Sequence, residues 1–182
     1  ALMDLDDTLF QTQRKINAWD LPTTEPETLV CATVNKQDEP LSFMSQRQAT
    51  FFNWLLASTE LIVVTARDRS EIKRVKLPFD SWQVLTHGAI ILTSDGALLS
   101  SWQQHMYSKL APLQNKLNKL SELFASHSQS EQSHLVFTPH IDSFNNGSVD
   151  EELTIYLAVK HAQKDHQALV DLAEKLPTLI RD

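Results

Sequence analysis

The chain of 182 residues has one cysteine, Cys31, and three glycines where roughly a dozen would stand at the usual ~7%. A single cysteine excludes any intrachain disulfide and agrees with a reducing compartment. So little glycine leaves no phosphate cradle of the P-loop or Rossmann type. No apolar run approaches the ~20 residues that span a bilayer, and no signal-peptide pattern precedes Asp4. Positive charge is short as well: 16 Lys and Arg stand against 23 Asp and Glu, a net charge of −7. That balance argues against nucleic acid or an anionic membrane as the main partner, since both need a basic surface. The seven histidines are scattered, without a pair at metal-binding spacing beside a third ligand. What remains, at 42% hydrophobic and 21% charged, is the composition of a soluble globular protein, expected to be cytoplasmic.

What is present is concentrated at the start. Ala1-Leu2-Met3-Asp4-Leu5-Asp6-Asp7-Thr8-Leu9-Phe10 is a short apolar run that delivers two carboxylates, with a hydroxyl close behind. Side chains of an extended segment alternate in direction, so Asp4 and Asp6 face one side near a strand's end. Two carboxylates held that close repel and are costly to desolvate, which implies a cation or a shared proton. An oxygen site with so few carboxylates suits Mg²⁺, which keeps several waters and bridges to phosphate oxygens. Further on, Leu61-Ile62-Val63-Val64-Thr65-Ala66-Arg67 is a β-branched run that ends in a hydroxyl and a guanidinium. It reads as a strand buried on both faces in a parallel sheet, and the planar fork of Arg67 suits phosphate oxygens.

Asp4-Leu5-Asp6-Asp7-Thr8-Leu9 resembles the first motif of the haloacid dehalogenase superfamily of aspartate-nucleophile phosphatases, a D-x-D-x-T pattern after a hydrophobic strand. Thr65-Ala66-Arg67 resembles the second motif in its Thr-Gly-Arg form, found in the sugar-phosphate phosphatase branch, with Ala66 in place of Gly. Val84-Leu85-Thr86-His87-Gly88-Ala89-Ile90-Ile91-Leu92 is similar to the Asn-Gly-Ala segment of sucrose-phosphate phosphatase and Cof-like phosphatases, with His87 in place of Asn. The resemblance implies an α/β fold, a doubly wound parallel sheet carrying an inserted α/β cap. It also implies a Mg²⁺-dependent phosphoric monoester hydrolase acting on a small phosphorylated metabolite, such as a sugar phosphate. In that reading Asp4 is nucleophile and metal ligand, and Asp6 is acid–base and gives the metal its main-chain carbonyl. Thr65 and Arg67 bind substrate, and Asp7 orders the loop.

The organisation follows in outline. A polar stretch with Pro22 and Pro26 leads to runs at Thr28–Val34 and Pro40–Met44, a flap-like hairpin turning at Asn35–Glu39. A helix from Gln46 to Ala57 carries Phe51, Phe52, Trp54 and Leu55, and a short helix covers Arg69–Val75. The four tryptophans, Trp19, Trp54, Trp82 and Trp102, are expected to pack in core or cap. Asp95-Gly96 closes a hairpin. Residues 1–92 are assigned to the phosphatase core and 93–182 to the cap. Within the latter, Trp102 to Phe124 repeats at three and four as one long helix broken or begun at Pro112. Ser126–Ser133 reads as a loop, and His134–Thr138 and Leu153–Val159 as strands around the Asn145-Asn146-Gly147 turn. A capped helix spans Asp165–Leu176, and Asp150-Glu151-Glu152 reads as a solvated turn.

The superfamily's third motif, a lysine, and its fourth, acids that usually contain Gly-Asp, are not found before Arg181-Asp182. The expectation is therefore an incomplete catalytic unit: either a longer natural protein, or a small sheet whose exposed edge pairs with another chain or is covered by a helix. Two alternatives stay open: a phosphotransferase or mutase using the same aspartyl-phosphate, and a non-catalytic binding protein with an incomplete site. Oligomeric state is not legible.

Overall fold

The computed structural model describes residues 1–18, 29–128 and 134–179. The chain divides into two compact units, Ala1–Leu99 and Ser100–Asp182. Among the described residues no helix is long and apolar enough to cross a membrane.

The first unit runs β1 (Leu2–Met3), β2 (Gln11–Thr12), α1 (Gln13–Ala18), β3 (Val30–Val34), β4 (Pro40–Met44), α2 (Gln46–Ser58), β5 (Ile62–Val64), α3 (Arg69–Ile72), β6 (Gln83–Leu85) and β7 (Ile90–Leu92). Its main sheet has the order β1-β5-β6-β7, with β1, β5 and β6 parallel and β7 antiparallel to β6. The protein is thus α/β with a mostly parallel sheet. Leu61 and Val63, on one face of the β5 segment, are buried, while Ile62 and Val64 on the other are half-buried, so the expected burial on both faces is met fully on one. Leu2 lies beside Ile62 and Met3 beside Val63, so Asp4 and Thr65 each stand just beyond the carboxyl end of adjacent parallel strands.

A second sheet, β2-β4-β3, is antiparallel. The β3–β4 hairpin turns where expected, its Asn35 carboxamide oxygen accepting from the amides of Gln37 (2.8 Å) and Glu39 (3.0 Å). Trp19, Pro22, Pro26 and Thr28 lie outside the described residues. The stretch after Phe10 is not wholly irregular: it forms β2, paired with Ser42 and Phe43, and then α1.

Helix α2 starts in a capping box in which Ser45 Oγ accepts from the Gln48 amide and Gln48 Oε1 from the Ser45 amide. Ala49, Phe52 and Leu55 face inward. Phe51 and Trp54 do not: they are 49% and 58% exposed and stack at 5.9 Å on the outer face, so Trp54 is not a core residue. Trp82 and Trp102 are half-buried. Helix α3 is shorter than expected, because Val75 leaves it to bridge to Thr33. The unit ends after Leu99 rather than after residue 92. The reason is that the segment after β7 turns back on it: Thr93 donates to the Ala97 carbonyl, and Leu99 to that of Ile91. In that turn the Thr93 hydroxyl, and after it the Ala97 amide, hold the Asp95 carboxyl below its ordinary value.

The second unit comprises α4 (Ser100–Leu110), α5 (Gln114–Ser128), β8 (Leu135–Asn145), β9 (Asp150–His161) and α6 (His166–Leu179). Pro112 sits in a single 3₁₀ turn, Ala111–Leu113, between α4 and α5, so the expected long helix is two. Helix α5 runs through Ser128, where a loop was expected from Ser126; residues 129–133 lie outside the described residues. The two strands are longer than their apolar runs suggested and form an antiparallel hairpin. Asp150, Glu151 and Glu152 belong to β9 and pair with Asn145, Phe144 and Ser143, which corrects their reading as a turn. The tight Asn145–Val149 connection imposes this, since Asn145 Nδ2 also donates to Asp150 Oδ1 at 2.7 Å. Helix α6 begins at His166, one residue after the expected Asp165, whose carboxylate accepts from the Ala168 amide at 3.1 Å, and continues past Leu176.

Phe124, Phe144 and Leu153 are buried in this unit, and so is Gln103, whose two amide heteroatoms have no hydrogen-bond partner among the described residues. Leaving such a group unsatisfied costs about 1–3 kcal/mol. Gln103→Met keeps the length and removes both unmet atoms, and is expected to raise unfolding free energy by about that amount. Urea denaturation measures it; an unchanged or lowered midpoint counts against the assignment.

Candidate active site

The first motif folds as a knot of backbone around Leu5. The Leu5 carbonyl accepts from the amides of Leu9 (2.9 Å) and Phe10 (3.2 Å), and the Asp7 amide donates to the Phe10 carbonyl (2.9 Å). This winding buries Leu5, Leu9 and Phe10 completely or nearly so and turns Asp4, Asp6, Asp7 and Thr8 outward. The apolar residues of the motif therefore anchor the loop, and its polar residues line an accessible surface at the strand ends. Asp7 takes a left-handed φ of 64° and is held by an ion pair with Lys15.

Asp4 and Asp6 are treated differently by their surroundings. The Thr8 hydroxyl donates to Asp4 Oδ2 at 2.5 Å, while Oδ1 accepts no hydrogen bond from the described residues. Asp6 is clamped by Arg67 in a bidentate pair, Nε to Oδ2 at 2.7 Å and Nη2 to Oδ1 at 2.8 Å. Arg67 also lies 5.4 Å from the centroid of the Phe10 ring and reaches the Glu71 carbonyl at 3.5 Å. Thr65 is buried, and its Oγ1 accepts from the Arg67 amide at 3.2 Å. Its own hydroxyl hydrogen thus remains to be donated. Ala66 is exposed and has no positive φ, so glycine is not required there.

Four residues singled out in the sequence, Asp4, Asp6, Thr65 and Arg67, thus stand at one end of the parallel strands. Asp6 and Arg67 are joined directly, Thr65 and Arg67 through the backbone, and Asp4 is neighbour to Thr65 by strand register. Arg67 does not pair with the carboxylate of Asp68 or Glu71; those two close the capping box of α3.

Three participants were not among the expected site residues, although the last of them lies in the segment noted for its likeness to the Asn-Gly-Ala stretch. Lys15 neutralises Asp7, and Phe10 supports the guanidinium. The third is the loop after β6, where Thr86, His87 and Gly88 all have positive φ (53°, 55° and 93°). The Thr86 amide donates to the Arg67 carbonyl (2.9 Å) and the His87 amide to the Thr65 carbonyl (3.3 Å), which ties this loop to the second motif. Thr86 is buried, its hydroxyl without a hydrogen-bond partner among the described residues. Gly88 was the one sequence signal of this left-handed turn.

Among the described residues no group of three or more His, Cys, Asp or Glu side chains could hold a metal. Two motif oxygens of the hard kind that Mg²⁺ takes, Asp4 Oδ1 and the Asp6 main-chain carbonyl, accept no hydrogen bond from the described residues. The Asp6 carboxylate, taken up by Arg67, does not serve. No family model matches the chain, and no curated protein compared with it is similar enough to count as a match.

Proposed function

We propose that the protein is a Mg²⁺-dependent phosphoric monoester hydrolase of haloacid dehalogenase type, acting in the cytoplasm on a small phosphorylated metabolite such as a sugar phosphate. Ser100–Asp182 would then be the inserted α/β cap of a doubly wound core. The observation that carries the reading is the meeting of Asp4, Asp6, Thr65 and Arg67 at the carboxyl ends of parallel strands, where ligands of such sheets bind.

In this mechanism Asp4, held at Oδ2 by Thr8, attacks phosphorus through Oδ1. An Asp4 oxygen–phosphorus bond forms, the bond to the leaving oxygen breaks, and Asp6 gives that oxygen its proton. Asp6, now a carboxylate, takes a proton from water, whose oxygen attacks phosphorus and frees Asp4. Thr65 donates its hydroxyl hydrogen to a phosphoryl oxygen, and Arg67 pairs with another. Mg²⁺ on Asp4 and the Asp6 carbonyl would offset charge between nucleophile and phosphoryl group.

Phosphate release from p-nitrophenyl phosphate, with and without Mg²⁺, tests the reading; no release under either condition sinks the hydrolase and leaves the binding protein. Trapped aspartyl-phosphate passed to an added alcohol instead of water would favour the phosphotransferase. Asp6→Asn is expected to slow hydrolysis by roughly 10²–10⁴-fold, the usual contribution of general acid–base help. Steady-state rates at saturating substrate measure it, and a loss under threefold removes Asp6 from proton transfer.

A further inference from the structure

The Asp6–Arg67 pair is asymmetric. The Arg67 side chain is 13% exposed and the Asp6 side chain 49%. The guanidinium is anchored on the Phe10 ring and at the Glu71 carbonyl, whereas Asp6 has no second hold among the described residues. If the pair parts, Asp6 moves and Arg67 stays.

Both Asp6 oxygens face the fork, so in this state the carboxyl group is turned to Arg67 and not to a leaving oxygen or an attacking water. A phosphoryl dianion offers the same fork two oxygens at matching spacing and carries more charge than a carboxylate. The Thr65 hydroxyl, oriented by the Arg67 amide, places a second donor beside it. We propose that Arg67 is an exchange latch: it clamps Asp6 in the free protein, and a bound phosphoryl group takes over the guanidinium and releases Asp6 for proton transfer. Arg67 is thereby both the anion's contact and the positioning residue that keeps the acid–base group idle until substrate is seated. This inference rests on the phosphohydrolase reading above.

The test is a double-mutant cycle read by calorimetric binding of inorganic phosphate at fixed Mg²⁺, so turnover is not needed. Under the latch, phosphate must displace Asp6, and Asp6→Asn removes a competitor as well as a charge. Asp6→Asn is expected to tighten phosphate binding by about tenfold or more in the natural background, and by about twofold or less in Arg67→Gln, where only charge relief remains. Equal changes in the two backgrounds, or no tightening by Asp6→Asn alone, overturn the latch and leave the hydrolase reading standing. Failure of every form, the unmutated protein included, to bind phosphate overturns both. If Arg67→Gln does not fold, Arg67→Lys, which keeps the charge without the fork, replaces it, and the coupling is again expected to shrink.

Discussion

Asp4→Asn is expected to abolish turnover while leaving the fold intact. The amide oxygen is a poor nucleophile and a poor Mg²⁺ ligand, so bond formation to phosphorus and charge neutralisation fail together. The fold is spared because Asp4 is exposed and its one bond, from the Thr8 hydroxyl, is as available to an amide oxygen as to a carboxylate. Surface substitutions of this kind stay within about 0.5 kcal/mol. Hydrolysis of p-nitrophenyl phosphate and a thermal melt are the two measurements. Undiminished Mg²⁺-dependent activity in this variant would falsify the assignment of Asp4 as nucleophile.

Phe10→Ala has the converse profile: its first effect is on stability and its second on the site. The ring is fully buried and packs within the winding that shapes the first motif. Truncation of such a residue costs about 3–5 kcal/mol, a large part of the roughly 5–15 kcal/mol that holds a domain together. It also takes away the surface on which the Arg67 guanidinium lies. Denaturant unfolding is therefore expected to show a loss of that size, with Phe10→Leu between the two. A loss below about 1 kcal/mol, as at exposed positions, would mean that the ring is not the motif's anchor.

How far the sequence carries these arguments differs from element to element. The strand ending at Thr65 and the hairpin at Asn35–Glu39 were legible because local chemistry decides them: β-branched side chains favour the one, and Asn35 closes the other through its own neighbours. Helix α2 begins at the expected Gln46, although the Ser45–Gln48 capping box that fixes its start was not read from the sequence. The Asp6–Arg67 clamp was not legible, since the two residues are 61 positions apart and only the parallel pairing of β1 with β5 brings them together. The Arg67 guanidinium also lies against the Phe10 ring, a residue that the sequence presented only as the end of the first motif's apolar run. Trp54 misled for a different reason: large apolar area suggests burial, but helical spacing gave the inner face to Phe52 and Leu55. In the second unit, apolar content marked only the middle of β9, because the polar residues at its start are held in the ladder by backbone pairing.

The three successive left-handed residues after β6 bear on when the site is ordered. Thr86 and His87 are not glycines, and each such backbone costs on the order of 1–3 kcal/mol to hold. That cost is met during folding, offset by the burial of Leu85, Ala89 and Ile90 on either side. In the proposed hydrolase, a ligand at the strand ends would find Thr65 and Arg67 already braced by the loop's amides, and would need none of its binding energy to arrange these two. The loop would then act as a preorganising device, lending recognition its backbone amides and not any side chain it carries.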